Sequence, residues 1–282
     1  MWRSIRLALR SWDGWSILTD AGAPMSPLRY HRPKTIGEAV GLLREGMPLA
    51  GGTEIVPRRR TLESVVDLQD LALDTLRPSG ERLEIGAMCR LQDLLTAAST
   101  VPDALVEACR GEAGWNLRNM ITLGGTLAAE DGRSRVLTVL TAMKAEIAIE
   151  PGGAVLPINE LLAGRPRILE GRLITAVRLP RIIRAEYQQV GRSPADRPIV
   201  CAAACRGRGT EGKEFIHLAL GGYGSWPREI ALEPRSPDEV IGEAAERAQT
   251  TYALAGDEWA AAEYRSHVAG VLARRVVAEV IN

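Results

Sequence analysis

The sequence predicts an α+β protein in two parts. Helices and short strands alternate as far as Pro180; beyond it, adjacent strands are followed by two closing helices. Three observations carry this: clear helix punctuation near the start, a change to strand and turn residues after Pro180, and two apolar runs that both break off at Gly-Gly-Thr.

Taken in order, "RPKTIGEAVGLLREG" has Thr35 and Glu38 at capping-box spacing, Ile36, Val40 and Leu43 on one helical face, and Gly46 as a stop. "PLAGG" reads as an apolar strand ending in glycines, "SVVDL" (64–68) as a strand, and "TLRPSGERLEIGAM" as two strands about a Ser-Gly turn. "RLQDLLTAAS" and "DALVEACRG" read as helices, the second closed by Gly111. "ITLGGTLAA" is expected to be extended with a glycine break. "SRVLTVLTAMKA" follows as a helix, "AEIAIEPGGAVLPI" as a hairpin about Pro-Gly-Gly, and "RLITAVRLP" as a strand. Strands and turns then run through Gly224. Two helices close the chain, around "PDEVIGEAAERAQTTYAL" and "DEWAAAEYRSHVAGVLARRVVAEV". The expected division is a tail at 1–24, a first domain at 25–182 and a smaller second domain at 183–282. The tail, arginine-rich and acid-poor with no apolar signal core, reads as a dispensable extension or a start called too early.

Composition narrows the function. With 46% hydrophobic and 25% charged residues in 282, the chain has the make-up of a globular protein with room for a large core. Lys+Arg and Asp+Glu are both 35, so no net field draws nucleic acid or an anionic membrane, and "PRRR" (57–60) reads as a solvated face. No apolar run is long enough to span a bilayer. Cys89, Cys109, Cys201 and Cys205 form no C-x-x-C pair and read as reduced thiols. Cys201 and Cys205, an even offset apart on a strand, share one face as small buried residues. His31, His217 and His267 are far apart, and no metal site is expected.

Two phosphate-loop patterns fail on context. Gly207, Gly209 and Gly212 in "GRGTEG" match G-x-G-x-x-G, and "GRGTEGKE" is one residue from a P-loop. Both motifs must open a helix. Here "EFIHLAL" follows as a strand and Glu214 replaces the magnesium-binding hydroxyl, so a glycine-rich hairpin turn is expected. The Gly-Gly-Thr segments are stronger candidates. Glycine turns sharply and lets a ligand reach the backbone, consecutive inward amides form an anion nest, and Thr53 and Thr126 add hydroxyls. Two such loops could grip a diphosphate from both sides without lysine. Either loop taken alone reads as a plain tight turn, since glycine is common at 28 residues.

"YHRPKTIGEAVGLLREGMPLAGGTEIVPRRR", "GWNLRNMITLGGTLAA", "GRLITAVRLP" and "EYRSHVAGVLARR" occur in that order, and together they resemble the FAD-binding subunit of molybdenum hydroxylases, the xanthine dehydrogenase and carbon monoxide dehydrogenase family. The resemblance covers Tyr30 to Arg275. It implies a two-part FAD-binding domain of the p-cresol methylhydroxylase/vanillyl-alcohol oxidase type, then the smaller α+β domain. The implied cofactor is FAD, held non-covalently. The implied diphosphate contacts are Pro48, Leu49, Ala50, Gly51, Gly52, Thr53, Glu54 and Ile55 in one loop, and Thr122, Leu123, Gly124, Gly125 and Thr126 in the other, with Ile174 nearby. Thr126 stands where the family usually has Asn. "EDGRSR" stands in place of a Ser-Asp pair near the ribose, with Asp131 or Ser134 as stand-ins, and Gln188 replaces a lysine.

The implied function is an electron-transfer flavoprotein in the cytoplasm, an oxidoreductase subunit with no substrate-specific catalytic residue of its own. No C-x4-C-x2-C iron–sulfur spacing is present, so the partners would be a separate iron–sulfur small subunit and a molybdopterin-binding large subunit. NAD, a quinone or oxygen would be the acceptor. The alternatives are a scaffold subunit that has lost FAD and a stand-alone flavin oxidase.

Overall fold

The computed structural model describes residues 28–80, 82–209, 212–233 and 235–282; the tail expected at 1–24 lies outside them. The first part begins with β1 (Arg29–His31), α1 (Ile36–Leu42), β2 (Met47–Leu49) and β3 (Ser64–Asp67). They form a small parallel sheet in the order β1-β3-β2. α1 starts at Thr35, whose hydroxyl accepts from the Glu38 amide at 3.2 Å. The second half of the expected capping box shifts by one residue, because the Glu38 carboxylate accepts from Lys34 N at 3.0 Å. Ala39 and Leu43 of this helix join Val66, Leu68, Leu71 and Leu173 in a small core.

Then come β4 (Leu76–Ser79), β5 (Arg82–Gly86), α2 (Leu91–Thr96), α3 (Asp103–Glu112), α4 (Trp115–Arg118), α5 (Leu123–Ala129) and α6 (Arg135–Ala142), followed by β6 (Glu146–Glu150), β7 (Ala154–Pro157), α7 (Ile158–Ile168) and β8 (Leu173–Leu179). The strands form an antiparallel sheet ordered β4-β5-β8-β6-β7. Both expected hairpins are present. Gly111 does not end α3; the helix runs on to Glu112, whose carboxylate accepts from the amides of Arg135 and Val136 at 2.8 and 3.1 Å and so caps α6.

The second part is β9 (Arg181–Val190), β10 (Val200–Arg208), β11 (Glu214–Gly221), β12 (Arg228–Leu232), α8 (Pro237–Thr251) and α9 (Ala262–Ile281). Its antiparallel sheet is ordered β12-β11-β10-β9. The decoy glycine stretch is the β10–β11 turn, where Gly209 N donates to Lys213 O at 3.0 Å, and Gly207 pairs with Phe215. β10 is buried on both faces. Cys201, Ala203 and Cys205 join the core of the first part, while Val200, Ala202 and Ala204 join the core under α8 and α9. The period-two pleat thus makes one strand the shared wall of two cores, and only small side chains fit both sides.

His217 in β11 is buried, its Nδ1 has no hydrogen-bond partner, and it stands edge-on to Phe215 at 5.6 Å. Burial, helped by the Lys144 ammonium, pulls its pKa down to about 4. Because the folded value lies below the unfolded value of about 6.5, this site's stability is complete above pH ~6.5 and is lost as pH falls toward about 4. Buried Glu112, whose pKa burial raises, contributes the opposite slope. Urea melts across this window are therefore expected to show His217→Leu losing less stability on acidification than the parent chain. Parallel profiles would contradict this.

Candidate functional site

The first glycine segment leaves β2 at Leu49, whose carbonyl accepts from Leu68 N at 3.0 Å. Gly51 then passes so close to the α4–α5 connection that a Cβ there would lie 1.7 Å from the Met120 carbonyl oxygen. Gly52 follows with φ +76, the left-handed region that glycine enters without penalty. Its carbonyl accepts from Val56 N at 2.9 Å and opens the short 3-10 turn Val56–Thr61. Between those anchors, the amides of Gly51, Gly52, Thr53, Glu54 and Ile55 donate to no group among the described residues. Such a run of unpartnered donors is a ready anion cradle.

The second segment is built differently. "LGGTLAA" is helix α5, not extended, because the Thr122 hydroxyl caps it by accepting from Gly125 N at 3.1 Å. Its other leading amides are also taken: Leu123 N by Cys89 O (2.9 Å), Gly124 N by Ala87 O (2.8 Å) and Thr126 N by Thr122 O (2.9 Å). The Thr126 hydroxyl is buried and donates to Thr122 O at 3.0 Å. The expected second nest is therefore absent. Gly124 is flush against the chain, since a Cβ there would lie 2.9 Å from that of Ala87.

Both segments nonetheless border one cleft of about 430 Å³, a size suited to a small-molecule site. Of the expected residues, Pro48, Ala50, Gly51, Gly52, Thr53, Glu54, Ile55, Thr122, Gly124, Gly125, Thr126 and Ile174 line it. Leu49 instead pairs with β3, and Leu123 is fully buried in the main core. Asp131 turns away, accepting from Arg133 N at 2.8 Å and from Arg197 at 3.2 Å, while Ser134 is buried as the cap of α6. Gln188 is on β9, paired with Ala202, and is not part of the lining.

Reading the sequence missed several lining residues, among them Arg58, Met88, Glu130 and Arg172. Arg172 stands just before β8, next to the lining residues Leu173 and Ile174, and no local pattern marks it. Glu54 pairs with Arg58 at 3.6 Å and Glu130 with Arg197 at 2.5 Å, whereas exposed Arg172 has no ion pair among the described residues. Burial raises the Glu130 pKa against the opposing pull of Arg197. No His, Cys or Tyr is among the described lining residues; the cleft offers amides, one cation without an ion pair, the arginine-paired carboxylates of Glu54 and Glu130, and apolar walls. That fits a planar cofactor carrying phosphate.

The profile of the family described as the FAD binding domain in molybdopterin dehydrogenase matches residues 25–182, more than half of the chain. The chain belongs to that family. The carbon monoxide dehydrogenase medium chain of Afipia carboxidovorans is 28% identical over 279 residues, covering 88% of this chain and 94% of its own. The glyceraldehyde dehydrogenase medium chain of Sulfolobus acidocaldarius is 27% identical, covering 89% and 97%. Among solved structures, carbon monoxide dehydrogenase from Hydrogenophaga pseudoflava superposes with a TM-score of 0.76 at 25% identity, covering 89% of this chain and 96% of that one.

The flavoprotein is thus an oxidoreductase subunit whose cofactor is FAD, an electron-transfer subunit of the molybdenum hydroxylase kind. Both of these curated relatives are medium chains of multi-subunit dehydrogenases. Among the described residues no helix is long and apolar enough to cross a membrane, and no group of His, Cys, Asp and Glu could hold a metal.

Proposed function

We propose that the cleft holds FAD with its diphosphate on the free amides of Gly51 to Ile55 and the Thr53 hydroxyl, and with Arg172 adding positive charge. The observation that carries this reading is the run of amides lining the cleft that have no partner among the described residues. Thr122, Gly124, Gly125 and Ile174 give the facing wall its shape; their backbone donors are already committed or lie elsewhere, so the grip is one-sided. FAD supplies one- and two-electron transfer when bound. The protein's own part is to bind it, orient it and exclude water. Residues 25–182 would carry this site, with 183–282 as a second domain packed against it.

Non-covalent attachment follows from the lining, which has no histidine or cysteine to form a tether among its described residues. Acid or heat precipitation of the purified chain is expected to leave all the flavin in the supernatant. Colour that stays with the pellet would refute this.

The chain would receive electrons from an iron–sulfur small subunit, fed by a molybdopterin-binding large subunit, and pass them to NAD or a quinone in the cytoplasm. The medium-chain relatives support the partners, and four buried cysteines without a disulfide suit a reducing compartment. Affinity purification from the native host tests it: an iron–sulfur protein and a molybdopterin protein should accompany the chain.

A further inference from the structure

A second cleft of about 240 Å³ lies between the β9–β10 connection and the start of α9, lined by Arg133, Arg192, Arg197, Arg265, Asp196 and Trp259 among others. It adjoins the flavin cleft, because Arg197 lines it while bonding Glu130, which lines the first. Four guanidinium groups face one lining carboxylate.

The other acids that pair with these arginines are not part of the lining. Asp257 is shared by Arg133 at 2.9 Å and Arg265 at 2.7 Å, and Glu130 and Asp131 hold Arg197 from outside the lining. Asp196 reaches Arg192 at only 3.7 Å. Trp259 fixes two of the cations, with Arg133 at 5.0 Å and Arg192 at 4.5 Å from its ring centre. A separate observation points the same way. Arg265 is fully buried, donates to the carbonyls of Ile199 and Gly222, and still has an Nε with no acceptor. A buried guanidinium donor without a partner calls for an acceptor that the described residues do not supply, a water or an anion. Planar forks backed by carboxylates and an aromatic ring match phosphate oxygens better than a point charge does.

We propose that this second cleft is an anion site that takes a phosphate group of a small molecule, separate from the diphosphate cradle at Gly51 to Ile55. The inference does not rest on FAD filling the first cleft. The phosphate belongs to a ligand other than FAD, and an FAD source is the outcome that would overturn the proposal.

The test is calorimetric titration of inorganic pyrophosphate into the full chain, flavin-loaded and flavin-free, with visible flavin absorbance recorded alongside. Arg192 and Arg197 have half-exposed side chains, so Arg192→Gln with Arg197→Gln should still fold. Saturable binding to the flavin-loaded chain is expected, weakened about tenfold or more in the double variant as charge-assisted bonds are lost, with flavin content unchanged. Arg228→Gln, which removes an arginine 5.4 Å from the Trp226 ring outside the cleft, should bind as the parent does. Binding seen only without flavin and displaced by added FAD would overturn the proposal, assigning the phosphate to FAD. So would no saturable binding, or a double variant that binds like the parent. If the chain takes up no FAD, the flavin reading fails, and the double-variant comparison still decides this one.

Discussion

Gly51→Ala is expected to strip the flavin from the purified chain. The new methyl carbon would be placed 1.7 Å from the Met120 carbonyl oxygen and 2.6 Å from its carbon. Both obstructing atoms are backbone, so no rotamer change relieves the clash. The loop must move, and the amides of Gly51 to Ile55 move with it. A hydrogen bond to a charged group contributes about 1.5–3 kcal/mol, so losing two of them weakens binding by at least about two orders of magnitude. Gly52→Val is expected to act in the same direction through its φ of +76, with Val56 Cγ2 only 3.1 Å from the added Cβ.

Gly125 differs, since an added Cβ meets only the Thr122 hydroxyl, at 3.0 Å, and the substitution acts through the helix cap and the cleft wall. Gly209→Ala is the control: its Cβ comes no nearer than 3.8 Å to Lys213 O, and the β10–β11 turn is away from the cleft. The measurement is the flavin-to-protein ratio after gel filtration. Full occupancy in Gly51→Ala, or loss in Gly209→Ala, would remove the first loop from the flavin site.

The largest stability effect is expected at Arg265. Its guanidinium, buried beneath α9, ties the carbonyls of Ile199 and Gly222 to Asp257, and so joins the β9–β10 connection, the end of β11 and the start of α9. Its side chain also lies 5.2 Å from the Tyr223 ring centre. Arg265→Ala leaves two carbonyls and a carboxylate short of a donor and opens a cavity. Removing one member of a buried ion pair costs about 3–5 kcal/mol. For a chain of this length that corresponds to a fall in Tm of roughly 6–20 °C. Thermal melts followed by far-UV circular dichroism would show it. A variant within about 1 kcal/mol of the parent would mean that water replaces the guanidinium and that the arginine is not structural.

Much of the fold was legible because its signals are local. The Thr35 cap, the Pro-Gly-Gly hairpin, the Ser-Gly turn and the glycine-rich β10–β11 turn each depend on residues within a few positions of one another. Three elements were missed for an equally local reason. β1 has three residues, α4 has four, and α7 carries Gly164 and Pro166, which read as loop when neighbouring packing is unseen. The "ITLGGTLAA" error has a physical cause as well. Gly-Gly is a poor helix interior, but at the first turn of α5 Gly124 meets the Ala87 carbonyl and Gly125 meets the Thr122 hydroxyl, so position overrides propensity.

The sequence by itself determined the α+β order of elements through local punctuation, and its resemblance to a known family pointed to the two glycine segments that both border the cleft. Only the tertiary structure decided which of the two segments keeps its donors free. The partners that occupy the amides of Leu123 and Gly124 are carbonyls more than thirty residues away, at Cys89 and Ala87, whereas among the described residues none accepts from the amides of Gly51 to Ile55. The arginine cleft was illegible for the same reason. Arg133, the Arg192 and Arg197 of one connection, and Arg265 are far apart in sequence, and what brings them together is the fold, which leaves Asp257 and Glu130 outside the lining.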